Sequence, residues 1–450
     1  MKKNQKEYLI NGIDPYDFKR ETYLGVNIYS RSVPWASCIY VRFLFNCGAL
    51  NDPAGKEGVT HFMEHMLFTG TPIYPTKFDI DQFSKLYTLD SLNAFTSFQH
   101  MCLNYRCLSY HFEESIKGSI EMLTKSFLND ESVEKEKKII TQEAWGVYKN
   151  TNRIKYIKSE QKNIFKDFPD RLRISSSLGW PNTISKIERR DIVHMYQTNL
   201  VRENLTVIIN GQISPKHKKV LKEYLSKIPS GQKAKEVYIP KSISTPKNRI
   251  WIHTYEEMGL TPSNQAYIGI SGAIPKHNFA HNKEIGALTR ALLYEILFQE
   301  LRHKNSWCYG VKASFGVTED YAFGELSSNI DPAYIHEALE IIERIISNIL
   351  KGEYQKEFEQ EKSLYIDRKK AAEVTTEDIT HTAVHGIRYH NQIQKRKDSF
   401  KNIQSVAFSD IQFLVKGVFV DSKTKIFEIH VPNGYNKENT QKFLKNTYFK

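Results

Sequence analysis

Two histidines four residues apart, His61 and His65, constrain this 450-residue chain more than any other pattern in it. They stand in the segment 58–71, which reads GVTHFMEHMLFTGT. On a helix, residues at this spacing project from one face, one above the other, so both imidazoles can reach a single metal ion. Glu64 stands beside them, where its carboxylate could take a proton from a water molecule on that ion. The pattern predicts a helix that carries half of a metal site.

A third ligand is expected, because catalytic zinc usually has three protein ligands and one open position. The order His-x-x-Glu-His inverts the zinc-peptidase signature His-Glu-x-x-His. Downstream, residues 132–148 predict one helix, on which Glu136 and Glu143 share a stripe with Ile140 and Val147. Carboxylates on a core-facing stripe are costly to bury unless they are paired or bound to metal. The alternative is a mostly exposed helix on which these are two glutamates among several.

These residues resemble the pitrilysin, insulysin and mitochondrial processing peptidase family of inverzincin metallopeptidases, and in particular its short bacterial members. Glu143 follows His65 by 78 residues (143 minus 65), with Glu136 seven residues earlier, as in that family. The other matching segments are Leu92–Ser97, Leu178-Gly179, Ile184–Tyr196, Asn204–Gly211, and Leu301-Arg302 with Tyr309–Val311. The resemblance therefore covers nearly the whole chain.

The resemblance implies a zinc-dependent endopeptidase with one Zn²⁺ per chain. His61, His65 and Glu143 would bind the metal, and Glu64 would be the catalytic base. Glu136 would support a histidine or the water from behind. The substrates implied are unfolded peptides or precursor peptides.

Two further sets of residues take their roles from the same resemblance. Arg302 and Tyr309 would complete the site from the other domain and stabilise the oxyanion. Judged from the residues alone, Arg302 could instead pair with a carboxylate on its helix, and Tyr309 could belong to the core. The residues expected to hold the peptide as an added strand are Asn93, Ala94, Phe95, Thr96 and Ser97.

The chain departs from the family pattern at two places. Leu89-Asp90 stands where a Gly-Gly pair is usual, and Gln99 stands where a glutamate is common. Neither position is a ligand, so the departures bear on substrate preference rather than on catalysis.

Composition and patterning predict two similar α+β domains. A chain of this length with 40% hydrophobic residues can bury more than one core. Residues 229–248 are rich in Pro, Ser and Lys, which is typical of a linker. We therefore predict a zinc-bearing peptidase domain over residues 1–228, a linker over 229–248, and a second homologous domain with the Arg/Tyr motif over 249–450.

Particular segments support mixed strands and helices in both halves. Over residues 38–45, the apolar residues Ile39, Val41, Phe43 and Phe45 alternate with Cys38, Tyr40, Arg42 and Leu44, which predicts a strand. Residues 283–303 and 335–350 predict helices. Each half closes with a β-rich segment ending in glycine, over 205–211 and 425–434. The expected architecture is a pair of α/β sandwich-like domains that forms half of a clamshell.

A half-shell implies a partner. Family members with a whole clamshell in one polypeptide are about twice as long, so the resemblance implies a homodimer with a site shared between chains. A heterodimer with a paralogue is the alternative. The alternative function is a catalytically silent structural or partner subunit, and the intact set of ligands argues against it.

Charge and cysteine usage bear on other functional classes. The net charge of +12 could indicate nucleic-acid binding, but the lysines are scattered and no recognised module is present, so we favour a solvated Lys-rich surface. The five cysteines are an odd number without Cys-x-x-Cys spacing, which indicates reduced thiols. No secretory h-region and no membrane-spanning apolar run is visible, so we expect a cytoplasmic, bacterial-type protein without a membrane partner.

Overall fold

The structure is a computed structural model. It describes residues 9, 10, 12–90, 92–164, 176–235, 245–275, 284–317, 321–372, 375–390 and 392–449. Helices and strands are mixed throughout and are arranged around two sheets, one in each half of the chain. This confirms the predicted α+β fold.

The first half is built around a six-stranded sheet. Its strands are β1 (Lys19–Tyr23), β2 (Val26–Ser32), β3 (Cys38–Phe45), β4 (Asn93–Thr96), β5 (Met101–Leu108) and β6 (Leu205–Gly211). Its helices are α1 (Val59–Met66), α2 (Lys77–Tyr87), α3 (Phe112–Lys125), α4 (Asp130–Tyr148), α5 (Thr151–Ile164), α6 (Pro181–Ile184), α7 (Arg189–Asn199) and α8 (Pro215–Leu225). The 3-10 turns are Ala49–Asn51, Ser109–His111 and Arg202–Asn204. The strand order is β1-β2-β6-β3-β5-β4.

The second half is built around a five-stranded sheet. Its strands are β7 (Ile250–Thr254), β8 (Ala266–Pro275), β9 (Cys308–Val317), β10 (Tyr321–Ile330) and β11 (Ile426–Val431). Its helices are α9 (Glu284–Leu297), α10 (Ile335–Lys351), α11 (Gln355–Ala371), α12 (Thr376–His390), α13 (Arg396–Ser405), α14 (Phe408–Phe419) and α15 (Lys437–Tyr448). A π-helical turn, Phe298–Lys304, continues α9, and a 3-10 turn covers Pro332–Tyr334. The strand order is β7-β11-β8-β10-β9.

The two sheets repeat one topology. In the first, β2 pairs parallel with β6, and β6, β3, β5 and β4 then follow in antiparallel pairs. In the second, β7 pairs parallel with β11, and β11, β8, β10 and β9 follow in antiparallel pairs. The β-rich segments that close the two halves are therefore equivalent strands. So are β4 and β9, which both lie at a sheet edge.

The strand predicted over residues 38–45 is β3, and it lies at the centre of the first sheet. Ile39 and Phe43 belong to the main core of this half, on the side of helix α1. The opposite face is covered by a helix from the second half, because Ala383 and Val384 of α12 pack on Ile208 of β6. Helix α12 therefore belongs by packing to the first sheet although it lies within the predicted domain 249–450.

Parts of the predicted boundaries lie outside the described residues. These are residues 1–8 and 11, residues 236–244 of the predicted linker, and Lys283 at the start of a predicted helix. The domain boundaries thus remain predictions. Among the described residues, no helix combines the length and the apolar character needed to cross a membrane.

Candidate metal centre

Helix α1 begins at a glycine that its surroundings require. Gly58 precedes the helix with φ of 101°, in the left-handed region that L side chains rarely adopt. A Cβ on Gly58 would lie 2.5 Å from the carbonyl oxygen of Leu178, and one on Gly179 would lie 2.1 Å from that of Glu57. The Leu178-Gly179 pair, noted in the sequence without a role, thus packs directly against the entry to α1.

Asp52 holds the first turn of α1. Its Oδ2 accepts a 2.7 Å hydrogen bond from the Gly58 amide, and its Oδ1 accepts bonds from the amide and hydroxyl of Thr60, at 3.1 and 2.5 Å. These contacts satisfy amides that a helix N-terminus leaves without intrahelical partners. Sequence reasoning missed Asp52, because six to eight residues of irregular chain separate it from the groups it binds.

The structure brings together the three residues predicted to bind zinc. Nε2 of His61 lies 3.9 Å, and Nε2 of His65 lies 3.6 Å, from Oε2 of Glu143. One ligand atom from each residue lies within 4.8 Å of the others. Ligand atoms about 2 Å from a tetrahedral zinc are roughly 3.3 Å apart, so these side chains fit such an ion with small adjustments.

The environment of His61 suits a neutral ligand. Its side chain is 8% exposed, and its ring packs edge to face on that of His65 with centroids 4.7 Å apart. Burial, followed by the charge of His65, lowers the pKa of His61 to about 3. At neutral pH the imidazole of His61 is therefore uncharged, and one of its two ring nitrogens has a lone pair that could bind a metal.

Glu136 orients His65 through the ring nitrogen Nδ1, which faces away from Glu143. Its Oε2 lies 3.1 Å from Nδ1 of His65, which leaves Nε2 of the same ring directed at Glu143. Lys77 lies 3.5 Å from the other carboxylate oxygen of Glu136. Burial acts to raise the pKa of Glu136, but the hydrogen bond from His65 and the charge of Lys77 outweigh it, so the pKa is lowered. Glu136 thus stays a carboxylate, and Lys77 is a contributor that the sequence did not reveal.

Helix α4 differs from the sequence prediction in one respect. Glu136 and Ile140 are buried, as predicted, but the side chain of Glu143 is 44% exposed and Val147 is 53% exposed. The prediction that Glu143 and Val147 face the core is wrong. Glu136 and Glu143 are seven residues apart and point in nearly the same direction, but from Glu136 onward the buried residues advance in steps of four, through Ile140, Ala144 and Tyr148, and so turn away from Glu143. Glu143 reaches the histidines from the margin of this buried stripe.

Glu64 lies on the same helix and contacts the edge strand. The hydroxyl of Thr96, the last residue of β4, donates a 2.5 Å hydrogen bond to Oε2 of Glu64. Burial raises the pKa of Glu64, and the bond from Thr96 opposes that rise. The Glu64 carboxylate is shielded from solvent and lies next to two imidazoles, so it is suited to accept and return a proton.

The residues predicted to hold a peptide lie at the free edge of the first sheet. Asn93, Ala94, Phe95 and Thr96 form β4, and Ser97 begins the turn into β5. Among the described strands, β4 pairs with β5 alone, so the backbone groups on its other side have no strand partner. The edge is continuous with the metal cluster through Thr96.

Arg302 and Tyr309 lie together in the second half. Nη1 of Arg302 donates a 3.0 Å hydrogen bond to the carbonyl of Cys308, and its guanidinium lies 5.3 Å from the ring centroid of Tyr309. Tyr309 is 84% exposed on the edge strand β9, so the alternative that placed it in the core is wrong. No hydrogen bond or ion pair found among the described residues joins either side chain to the His61 cluster.

Comparison with known proteins adds family information. Residues 28–164 match the family profile "Insulinase (Peptidase family M16)", and residues 186–365 match "Peptidase M16 inactive domain". A relative from Rickettsia bellii, an uncharacterized zinc protease, is 24% identical over 349 residues, which are 76% of this chain and 79% of the relative.

Solved structures show the same fold. A protease from Helicobacter pylori matches with a TM-score of 0.75 at 16% identity, over 92% of this chain and 99% of the other. The periplasmic protease PqqL from Escherichia coli matches with a TM-score of 0.77 at 16% identity, over 96% of this chain but only 50% of PqqL. This chain thus has the extent of one of these proteins and of half of the other.

Proposed function

Because the chain belongs to the insulinase family of peptidases, M16, which includes pitrilysin and insulysin, we propose that it is a zinc-dependent endopeptidase that hydrolyses unfolded or precursor peptides inside a closed chamber. The observation that carries the proposal is the cluster of His61, His65 and Glu143, with Glu64 on the same helix. Two imidazoles and one carboxylate with an open face are the ligand set of a catalytic zinc site rather than of a structural one.

The chemistry follows from the neighbouring side chains. A zinc ion at this cluster would supply Lewis-acid activation of water and of the scissile carbonyl. Glu64 would take a proton from the attacking water and deliver it to the leaving amine. Thr96 would hold the Glu64 carboxylate in position, and Glu136 would hold His65.

Strand β4 would hold the substrate. An extended peptide added to this edge gains main-chain hydrogen bonds whatever its sequence, and side-chain pockets then set preference. A folded protein cannot offer a free extended segment of this kind, so unfolded peptides are the substrate class we propose.

A second copy of the chain would complete the site. On the second half, Tyr309 is exposed and Arg302 is half-buried, and among the described residues no hydrogen bond or ion pair joins either of them to the cluster of their own chain. In a two-fold dimer these residues could close over the metal cluster of the partner and exclude water from it. The match to half of PqqL supports a half-shell of this kind. A heterodimer with a paralogue is the second arrangement we consider.

The second candidate function is a catalytically silent partner subunit. The observation that favours it is the match of residues 186–365 to a domain described as inactive. The cluster in the first half, with its supporting carboxylate, favours the peptidase.

As to location, we propose the cytoplasm, because five cysteines that are all free and buried suit a reducing compartment.

Metal content and peptide cleavage test the proposal together. The purified protein should contain one zinc per chain and should cleave a quenched-fluorescent peptide, while a stable β-barrel protein survives the same incubation. Glu64→Gln should keep zinc and lose cleavage. The matched control is Glu134→Gln on α4, whose exposed side chain pairs with Lys137 and should be dispensable.

The outcomes separate the two candidates. A protein without zinc and without cleavage would be the silent subunit. Cleavage by Glu64→Gln at the parental rate would show that another group is the base.

A further inference from the structure

Helix α12 (Thr376–His390) crosses the outer face of the first sheet. At its start, Oγ1 of Thr380 accepts a 3.1 Å hydrogen bond from the side-chain amide of Asn210 on β6. The hydroxyl of Tyr40 on β3 donates a 3.4 Å bond to Glu377. The helix continues past these central strands, so its last turn lies at the edge strand β4. The second half thereby places a side chain next to the proposed peptide-binding strand.

That side chain is Arg388. Its guanidinium carbon lies 5.2 Å from the ring centroid of Phe95, the third residue of β4. Side chains alternate along a strand, so Phe95 and Thr96 point to opposite faces of the sheet. Thr96 faces Glu64 and the metal cluster. Phe95 and Arg388 therefore form the wall on the other side of the same strand.

The pairing of β4 shows which of its backbone groups point away from β5. The Ser97 amide donates to the carbonyl of His100 across the two-residue turn, at 2.7 Å. Hydrogen-bonded and non-bonded pairs alternate along an antiparallel ladder, so Ala94 and Thr96 direct their amides and carbonyls away from β5. The Ala94 amide accordingly bonds to the Asn93 side chain rather than to β5.

This geometry fixes the faces of an added peptide. A substrate strand would bond to the backbone of Ala94 and Thr96, and at the Ala94 amide it would replace the side chain of Asn93. Its residue opposite Phe95 would then point to the face of Phe95 and Arg388, as would every second residue from there. The intervening residues would point towards the metal cluster. One side of the substrate thus meets a cation and an aromatic ring.

The charges around this wall are uneven. Both hydrogen bonds described for Arg42 go to backbone carbonyls, those of Val41 and Tyr105. The carboxylate of Glu377 lies eleven residues before Arg388, which is about 16 Å along a helix axis. Burial, followed by the charge of Arg388, lowers the pKa of His100 to about 4, so His100 is neutral at pH 7. Arg388 is a cation in direct contact with the ring of Phe95.

We propose that Arg388 is a specificity-determining residue, which binds an acidic side chain at the position of an added peptide that lies opposite Phe95 on β4. This inference rests on the proposed peptidase function and deepens it. The guanidinium has five donors in a planar fork, so it can bind a carboxylate while its face remains on the Phe95 ring. A lysine in the same substrate position would be repelled.

A scan of charged residues tests the proposal. A neutral quenched-fluorescent peptide is prepared with a single Glu or a single Lys at each position in turn. We expect kcat/KM to favour Glu over Lys about fivefold at the position opposite Phe95, the effect of one partly exposed ion pair, with a smaller preference two residues away on either side and none at the positions between. Arg388→Glu should reverse this preference, and Arg388→Gln should abolish it while the neutral peptide is still cleaved.

The matched control is Arg20→Glu, which makes the same charge change on the exposed strand β1 at the opposite edge of the same sheet. It should keep the preference of the parent. Binding of the same peptides to Glu64→Gln, measured by fluorescence anisotropy, gives a readout that needs no hydrolysis.

The two measurements distinguish the two hypotheses. Hydrolysis of the neutral peptide without any alternation between Glu and Lys would overturn the role of Arg388 and leave the peptidase intact. Alternation in binding without hydrolysis by the parent protein would support Arg388 and overturn the peptidase. An unchanged preference in Arg388→Glu would also overturn the proposal.

Discussion

The hydroxyl of Thr96 donates a 2.5 Å hydrogen bond to the carboxylate of Glu64. This contact connects the last residue of the edge strand β4 to the helix that carries His61 and His65. A peptide bound along β4 would therefore be held by the same strand that positions the proposed base. Strand β4 would therefore take part both in binding the peptide and in positioning the group that transfers the proton.

Replacing Thr96 tests this connection. Thr96→Val keeps the shape of the side chain but removes the donor from a buried carboxylate. A hydrogen bond to a charged group contributes about 1.5–3 kcal/mol, so we expect kcat/KM to fall by roughly ten- to a hundredfold. Thr96→Ser should recover most of the activity. Zinc content measured in parallel should stay at the parental value, and a Thr96→Val enzyme of full activity would contradict the role of the bond.

Glu136 should govern metal affinity more than it governs the fold. Glu136→Gln removes the negative charge 3.1 Å from Nδ1 of His65. Loss of such a partner typically weakens metal binding by about 10- to 100-fold. Competition with a zinc chelator measures the change, and Glu134→Gln on the same helix is the control. Equal zinc affinity in parent and Glu136→Gln would show that His65 is oriented by other groups.

Glu160 on α5 should make stability depend on pH. Burial and the negative charge of Glu428 raise the pKa of Glu160 to about 7, with Arg153 opposing. Glu428 also accepts a 3.0 Å hydrogen bond from Tyr156 and lies 2.6 Å from His430. Because the folded-state pKa exceeds the unfolded value of 4.5, the stability contributed by the protonated form is fully present below about pH 4.5. It is lost as the pH rises through 7.

Glu160→Gln resembles the protonated form at every pH. We expect it to match the parent near pH 5 and to be more stable by about 1–3 kcal/mol at pH 8. Urea unfolding at the two pH values measures this difference. A gap of the same size at both would show that Glu160 does not titrate in this range.

Complementation tests the shared site. Glu64→Gln and Tyr309→Phe should each be inactive alone. In an equal mixture about half of the dimers are mixed, and each mixed dimer holds one intact site of two. The mixture should therefore recover about a quarter of the parental activity. Subunit exchange is first demonstrated with two labels. Exchange without any recovery would show that each chain completes its own site or uses another partner.

Local pattern determined a large part of the site. The spacing of His61 and His65 places both rings on one helical face wherever that helix packs, because the relationship depends only on 3.6 residues per turn. The alternation over β3 likewise predicted a strand, and the closing segments of the two halves predicted β6 and β11. These relationships lie within a few residues of chain, where backbone geometry decides them.

The tertiary structure decided what approaches that helix and what stays open. Glu136 is buried and Glu143 exposed although both point the same way from α4, because burial depends on which elements cover each part of the helix. The position of β4 at a sheet edge depends on the order of six strands, and that of Arg388 on a helix nearly 300 residues further along. Such contacts depend on how distant segments pack together, and the periodicity of apolar residues within one segment carries no information about that packing.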